Sequence, residues 1–342
     1  MPDAPAIWAI TPNGIRLGKR LLKGFPDAVL YLPEKEGDSE TLSGKARAFS
    51  NLKDEISCKF LQHPSHVFIF STGIAVRMIA PLLASKLSDP AVVVLDELGY
   101  HAISLISGHL GGANRLAREI ADTVNAVPVI TTATDINGLP SMDMVAQAAG
   151  VFIETPGAIK TANMKLLKGE QLNVHDPSGF VLPLIPDASV TTDPDRPFDV
   201  VCDWKDTTVP RETLVFRPRI LSVGIGCNRN TSLQDIHTFL CRVFRDHDLS
   251  LNAIAGLATT EVKADEQGIL ALGEKLGRPI RFYSKDELNS VETIENPSKM
   301  AEKHIGVKSV CEAAAILSAL KGRLIVPKQK TRDVTLAVAV PE

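Results

Sequence analysis

Ser107-Gly108-His109-Leu110-Gly111-Gly112-Ala113-Asn114, running on as RLAREIADTVNA to Ala126, is the stretch from which the fold is read. Leu116, Ala117, Ile120, Ala121 and Val124 recur at helical spacing, while Arg115, Arg118, Glu119 and Asp122 take the opposite face. HAISLI, immediately upstream, reads as a short strand. The segment is therefore strand, glycine turn, helix. Such a junction predicts an anion pocket, because backbone N–H groups and the positive end of the helix dipole point at the turn. The glycines equally suit a tight turn with no ligand. His109, between Gly108 and the glycine pair, adds an imidazole that titrates near neutral pH.

The same rhythm runs through the first half of the chain. AIWAI, AVLYL, HVFIF, AVVVL and VPVIT are short apolar runs rich in β-branched residues. Helical patterns fall between them, over 14–23, 43–56 and 74–87. Alternating strands and crossovers predict an α/β fold with a mainly parallel sheet covered on both faces. Ligands of such sheets sit beyond the carboxyl ends of the strands. Ser71-Thr72-Gly73, the 107–112 turn and the 131–135 segment are thus expected to share one pocket. From His175 to Pro218 seven prolines break every helical pattern, and only VLPLI, VVCDW and TLVF look extended. From Ile220 the β–α rhythm resumes, with Ser232 or Thr231 capping one helix and a capping box at Ser284 and Glu287. The expected organisation is an N-terminal α/β domain over 1–155, a Pro-rich linker or small domain over 156–217, and a second α/β domain over 218–342.

Bulk composition narrows the function. At 342 residues, 44% hydrophobic and 23% charged, the chain has the make-up of a soluble globular protein of two or three domains. A net charge of −3 with no basic run argues against nucleic acid as a partner. The most apolar window, 67–84, contains Arg77 and Pro81 and is no membrane span, and the N-terminus has no signal-peptide pattern. Cys58, Cys202, Cys227, Cys241 and Cys311 form no CxxC pair and read as reduced thiols of a cytoplasmic protein. His63 and His66 flank Pro64 without a third ligand, so no metal site is expected. Gly224-x-Gly226 lacks the third glycine of a dinucleotide fingerprint, and no GxxxxGK[ST] spacing occurs.

Carboxylates are the second group of candidates. Asp96-Glu97 ends the AVVVL strand, where an acid points into a cleft or simply caps a turn. Asp135 follows Thr131, Thr132 and Thr134, with an Asx turn before Asn137-Gly138 as the ordinary role. Asp143 opens the next helix, where an acid matching the dipole is commonplace. In the second domain, Arg229 and Lys263 stand at strand-to-helix turns suited to a substrate carboxylate.

DELGYHAISLISGHLGGANRLAREIA and PVITTATDINGLPSMD closely resemble the cobalt-precorrin 5A hydrolase (CbiG-type) family of anaerobic cobalamin biosynthesis. STGIAVRMIAP (71–81), SVGIGCNRNTS (222–232), LATTEVKADEQGI (257–269) and GVKSVCEAAAI (306–316) agree in family order. The stretch 170–217 carries little of the likeness. The resemblance implies a cobalt-bearing tetrapyrrole with many carboxylate arms, whose ring A δ-lactone is opened by water with loss of acetaldehyde. The macrocycle then supplies the electron sink and the cobalt, so neither an organic cofactor nor a protein metal is expected. Corrin methyltransferases of the pathway are the partners considered. On that chemistry His109 takes the general-base role and Glu97 an orienting or second proton-transfer role. Gly111 and Gly112 supply oxyanion donors, and Thr72, Gly73, Asn114, Thr132 and Asp135 complete the pocket. Arg77, Arg229 and Lys263 meet peripheral carboxylates. A non-catalytic carrier of the same tetrapyrrole is the alternative; it would release no acetaldehyde.

Overall fold

The computed structural model describes residues 4–36, 44–85, 88–298, 302–303 and 306–342. The chain divides into two compact units, Met1–Met144 and Val145–Glu342. Its fold is α/β throughout.

In the first unit the strands are β1 (Ala6–Ala9), β2 (Val29–Pro33), β3 (Ala46–Phe49), β4 (Ser65–Ile69), β5 (Ala91–Leu95), β6 (His101–Ile106) and β7 (Val127–Val129). The helices are α1 (Pro12–Gly24), α2 (Leu52–Lys59), α3 (Thr72–Ile79), α4 (Ala113–Val124), α5 (Ala133–Ile136) and α6 (Met142–Ala149), the last running into the second unit. The sheet order is β3-β2-β1-β4-β5-β6-β7. The winding reverses between β1 and β4. Alternation along the strands feeds two cores: Ile7, Val67, Ile69, Val93 and Leu95 pack with Leu21 and Ile120 on one face. Trp8, Phe68, Val92 and Val94 pack with Ile56, Phe60 and Ile79 on the other.

One strand departs from the parallel pattern and decides where the candidate residues lie. β6 pairs antiparallel to β5, Leu95 opposite Ala102 and Val92 opposite Ile106. Only five residues join them, too few for a crossover. Asp96 shapes that turn: its carboxylate accepts from the N–H groups of Leu98, Tyr100 and His101 at 3.0, 3.2 and 2.7 Å. The helix expected over 43–56 is another correction. Ala46–Phe49 is the edge strand β3, and the helix starts only after Asn51, whose side chain caps the N–H groups of Lys53 and Asp54. Ser43, Lys86 and Leu87, inside the expected helices, lie outside the described residues.

The second unit holds two sheets. The first consists of β8 (Phe152–Ile153), β9 (Leu172–His175), β10 (Val190–Thr191), β11 (Val200–Cys202) and β12 (Leu214–Arg217), with α7 (Ile159–Leu167) on its face. The Pro-rich segment is therefore a small sheet, parallel except for β8. VLPLI is not extended there: Leu182–Leu184 is a 3₁₀ turn, held because buried Asp176 accepts from the N–H groups of Phe180, Val181 and Leu182. The other sheet contains β13 (Leu221–Cys227), β14 (Ile254–Thr260), β15 (Ile280–Tyr283), β16 (Arg323–Lys330) and β17 (Val334–Val340), in the order β15-β14-β13-β17-β16. Helices α8 (Leu233–Asp246) and α9 (Gln267–Leu276) cover one face, and α11 (Cys311–Ser318), after the short α10 (Lys285–Asn289), covers the other. A Cβ on Gly224 would lie 1.8 Å from the Cys311 carbonyl oxygen. The glycine of the GxG pair thus exists for close helix–strand packing.

Candidate active site

β6 ends in a loop that folds back on itself. Ser107 has φ +56° and Gly112 φ +87°, left-handed backbone that glycine adopts most easily. A Cβ on Gly111 would stand 2.4 Å from Ser107 Cβ, and one on Gly108 2.7 Å from Asn114 Oδ1. The tight turn consumes its own donors. Gly112 N–H bonds His109 O at 2.8 Å, Ala113 N–H bonds Ser107 O at 3.0 Å, and Asn114 N–H bonds Gly108 O at 3.0 Å. The oxyanion role expected of Gly112 is therefore corrected: its N–H is spent inside the loop. The open anion pocket expected at the start of α4 is largely closed by its own turn.

What the loop does present is the His109 imidazole, about one-fifth exposed and engaged on both edges. Nε2 lies 3.2 Å from Asp135 Oδ2 and 3.0 Å from Thr134 Oγ1. Nδ1 lies 3.3 Å from Ser141 Oγ and 3.6 Å from Asp143 Oδ2. Asp135 is a hub. Its Oδ2 also accepts from Asn114 Nδ2 at 2.9 Å and Thr132 Oγ1 at 2.8 Å, and its Oδ1 accepts from Arg118 at 2.7 Å. Ser104 Oγ in turn donates to Asn114 Oδ1 at 2.7 Å, fixing the amide. Asp143 receives the Ser141 hydroxyl.

The electrostatics follow from this pairing. The Asp143 contact, with the charges of both aspartates, holds His109 above the ordinary imidazole range, although burial opposes it. Burial also works against ionising Asp135, but Arg118 and Thr132 outweigh it and keep its carboxyl below the usual range. Asp143 is likewise depressed, His109 and Ser141 overcoming its burial. His109 thus lies between two carboxylates that both favour its protonated form.

The structure brings His109, Asn114, Thr132 and Asp135 together and places Glu97 elsewhere. Because β6 runs antiparallel to β5, Glu97 lies beyond the carboxyl end of β5 and the His109 loop beyond its amino end, where Ser107 Oγ bonds Asp89 O at 2.9 Å. The five residues of β5 alone separate them by about 13 Å. The expected single pocket is thus split, and Glu97 does not orient His109. Glu97 instead accepts from Thr11 Oγ1 at 2.7 Å, Thr11 being the cap of α1 at the end of β1. Thr72, Gly73 and exposed Arg77 lie at and along α3, after β4, on that same edge beside the winding reversal. A Cβ on Gly73 would meet nothing within 4 Å, so local packing does not require the glycine.

In the second unit, Arg229 borders a cavity of about 470 Å³ lined by 229–233 and 265–268, whereas Lys263 is buried and does not line it. Both arrive paired. Arg229 bonds Asp265 at 2.5 Å, while buried Lys263 bonds Glu266 at 3.1 Å, whose other oxygen takes Asn230 N–H at 2.7 Å. Burial pushes the Cys227 thiol up, which does not suit a nucleophile. Among the described residues no group of three or more histidine, cysteine, aspartate or glutamate side chains is arranged to hold a metal ion, and no helix is long and apolar enough to cross a membrane.

Sequence reasoning passed over Asp143, Ser141, Thr134 and Arg118. An acid at a helix start already has an ordinary explanation, which hid Asp143. Arg118 carried a usable signal, since it stands one turn after Asn114 on the same face of α4 and both reach Asp135.

Residues 56–135 match the family described as Cobalamin synthesis G N-terminal, and residues 221–339 match Cobalamin synthesis G C-terminus. A cobalt-precorrin-5A hydrolase of Priestia megaterium is 31% identical over 98% of this chain and 94% of its own length. One of Salmonella typhimurium is 32% identical over 99% of this chain and 98% of its own. A solved structure of a putative cobalamin biosynthesis protein G homolog from Sulfolobus solfataricus covers 99% of this chain and 98% of its own, with 21% identity and a TM-score of 0.38.

Proposed function

The chain belongs to the cobalt-precorrin-5A hydrolase family of cobalamin biosynthesis, and we propose that it opens the ring A δ-lactone of cobalt-precorrin 5A with water and releases the two-carbon fragment as acetaldehyde, giving cobalt-precorrin 5B. The protein is a hydrolase of this pathway; the residue roles are inferred from its geometry. One observation carries them: His109 is the partly exposed acid–base group of the first unit that sits between two ordered carboxylates, Asp135 and Asp143. Hydrolysis of a lactone needs a proton for the departing ring oxygen, and loss of acetaldehyde then needs a base for the alcohol so formed. An imidazole that first gives and then retakes a proton serves both steps. Gly111 is retained as a candidate backbone donor to the oxyanion. Asn114, Thr132 and Asp135 order the imidazole.

Thr72, Gly73, Arg77 and Glu97, on the other edge of the sheet, are assigned to the substrate periphery rather than to the reacting carbonyl. Arg229 and Lys263 are assigned to carboxylate arms, with the exposed Arg229 the more accessible of the two. The substrate brings its own cobalt and electron sink, so the reaction calls for no organic cofactor or added metal. A cytoplasmic site of action fits that assignment, with corrin methyltransferases supplying and receiving the intermediates.

The test is direct. Purified, chelator-treated protein is incubated with enzymatically prepared cobalt-precorrin 5A, and acetaldehyde is measured with the corrinoid spectrum. Stoichiometric release without added nucleotide or metal is expected. Tight binding of the corrinoid with no acetaldehyde would instead identify a carrier.

A further inference from the structure

We propose that Asp143 is a positioning residue for the lactone-opening step: with Asp135 it clamps His109 from both sides, so that the imidazole enters the reaction with a proton on each ring nitrogen and donates one of them. This rests on the hydrolase reading above and assigns a role to a residue outside the group first expected to form the pocket.

The argument is geometric. Asp135, on α5, faces Nε2 at 3.2 Å, and Asp143, on α6, faces Nδ1 at 3.6 Å. A neutral imidazole carries one N–H and one lone pair, so either tautomer turns a lone pair toward a carboxylate, with the Thr134 or Ser141 hydroxyl as the donor beside it. The doubly protonated ring satisfies both sides. Arg118, on α4, is the charged group behind Asp135, at 2.7 Å from its other oxygen; it fixes that carboxylate and draws part of its charge away from His109. Asp143 has no such cation among its described contacts. Its neighbour is the Ser141 hydroxyl, which also lies 3.3 Å from His109 Nδ1. Asp143 is therefore the carboxylate whose charge is most fully directed at His109, and at 14% side-chain exposure it is poorly screened.

The chemical step balances as follows. Water oxygen bonds to the lactone carbonyl carbon and the acyl carbon–oxygen bond breaks. The departing ring oxygen takes a proton from His109 and becomes the alcohol. The attacking water loses both its protons to solvent, leaving the carboxylate product, and His109 takes its proton back from the alcohol as acetaldehyde departs with its electron pair left on the macrocycle. Nothing is oxidised or reduced. Neutral His109, lying between two anions just after the transfer, is driven to regain a proton.

The test measures the proton on His109 and the reaction separately. Ring-nitrogen NMR of ¹⁵N-histidine protein, with His109→Gln to assign the signal among eight histidines, gives the His109 titration. Acetaldehyde release against pH gives the alkaline limb of kcat. Asp143→Asn is expected to move both downward by about one pH unit, lowering kcat at pH 8 roughly tenfold with KM little changed. Asp143→Glu is expected to restore most of the shift. A His109 titration unmoved in Asp143→Asn overturns the proposal. So does a titration that moves while the kcat limb stays, since His109 would then not be the donor. If Asp143→Asn fails to fold, wild-type His109 titrating at or below the ordinary imidazole range overturns the proposal by itself. A wild-type protein that releases no acetaldehyde at any pH refutes the hydrolase reading instead, and the NMR titration still reports whether Asp143 holds the imidazolium.

Discussion

His109 concentrates the chemistry of the first unit because the six-residue loop Ser107–Gly112, otherwise serine, leucine and glycines, leaves its imidazole as the polar group to be placed, and α4, α5 and α6 each contribute to placing it. Replacing it with glutamine keeps hydrogen bonding but removes proton transfer, and should lower acetaldehyde release by about two to four orders of magnitude. Corrinoid binding, followed by absorbance, should be largely retained; normal turnover would make His109 a turn residue only. The same pairing has a stability signature. A raised His109 pKa means that its contacts stabilise the fold below the ordinary imidazole range and lose that effect as pH rises through the raised value. The depressed Asp135 and Asp143 contribute above the ordinary carboxylate range and lose it on acidification. The urea-midpoint difference between wild type and His109→Gln should therefore shrink with alkaline pH.

At the scale of elements, the β5–β6 hairpin decides which candidates can meet. Asp96 fixes it by accepting three backbone N–H groups, and these bonds hold the carboxyl below its usual range although burial opposes ionisation. Asp96→Ala should destabilise the first unit by about 1 kcal/mol, a value reduced for solvent screening of this partly exposed group. The sign is fixed: the wild-type advantage is present above the ordinary aspartate range and disappears as pH falls through the depressed value. Urea titrations at pH 7 and pH 3 check this; an equal difference at both would refute it. The hairpin was legible in the short DELGY connection, yet strand direction was read from the general α/β rhythm instead. Edge strand β3 was missed for another reason. Four residues, ARAF, fit helix and strand periodicity equally, and only pairing with β2 decides between them.

For the whole molecule, each unit carries its own core and one of the two tryptophans, Trp8 in the first and Trp204 in the second. In the second unit buried Arg217 pairs with Glu154 at 2.5 Å and donates to the Asp203 carbonyl at 3.1 Å, while Glu154 also accepts from Asn252 at 2.7 Å. Glu154, held by Arg217, therefore ties the small Pro-rich sheet to the turn that leads into β14. Arg217→Met leaves Glu154 with a buried partner missing and should cost about 3–5 kcal/mol. The loss should appear in the Trp204 unfolding transition, read in a Trp8→Phe background, while the transition read from Trp8 keeps its midpoint. A common shift in both would show that the units unfold together. The sequence by itself determined the α/β class and most strands and helices, because hydrophobic period, caps and short loops are local signals; it grouped His109, Asn114, Thr132 and Asp135 in one pocket, but placed Thr72, Gly73 and Glu97 there as well. Tertiary structure decided the direction of β6, the separation of Glu97 from His109, the internal use of the Gly112 N–H and the approach of Asp143 to the imidazole. Those depend on which backbone partner and which charge another element supplies, and spacing along the chain does not record that.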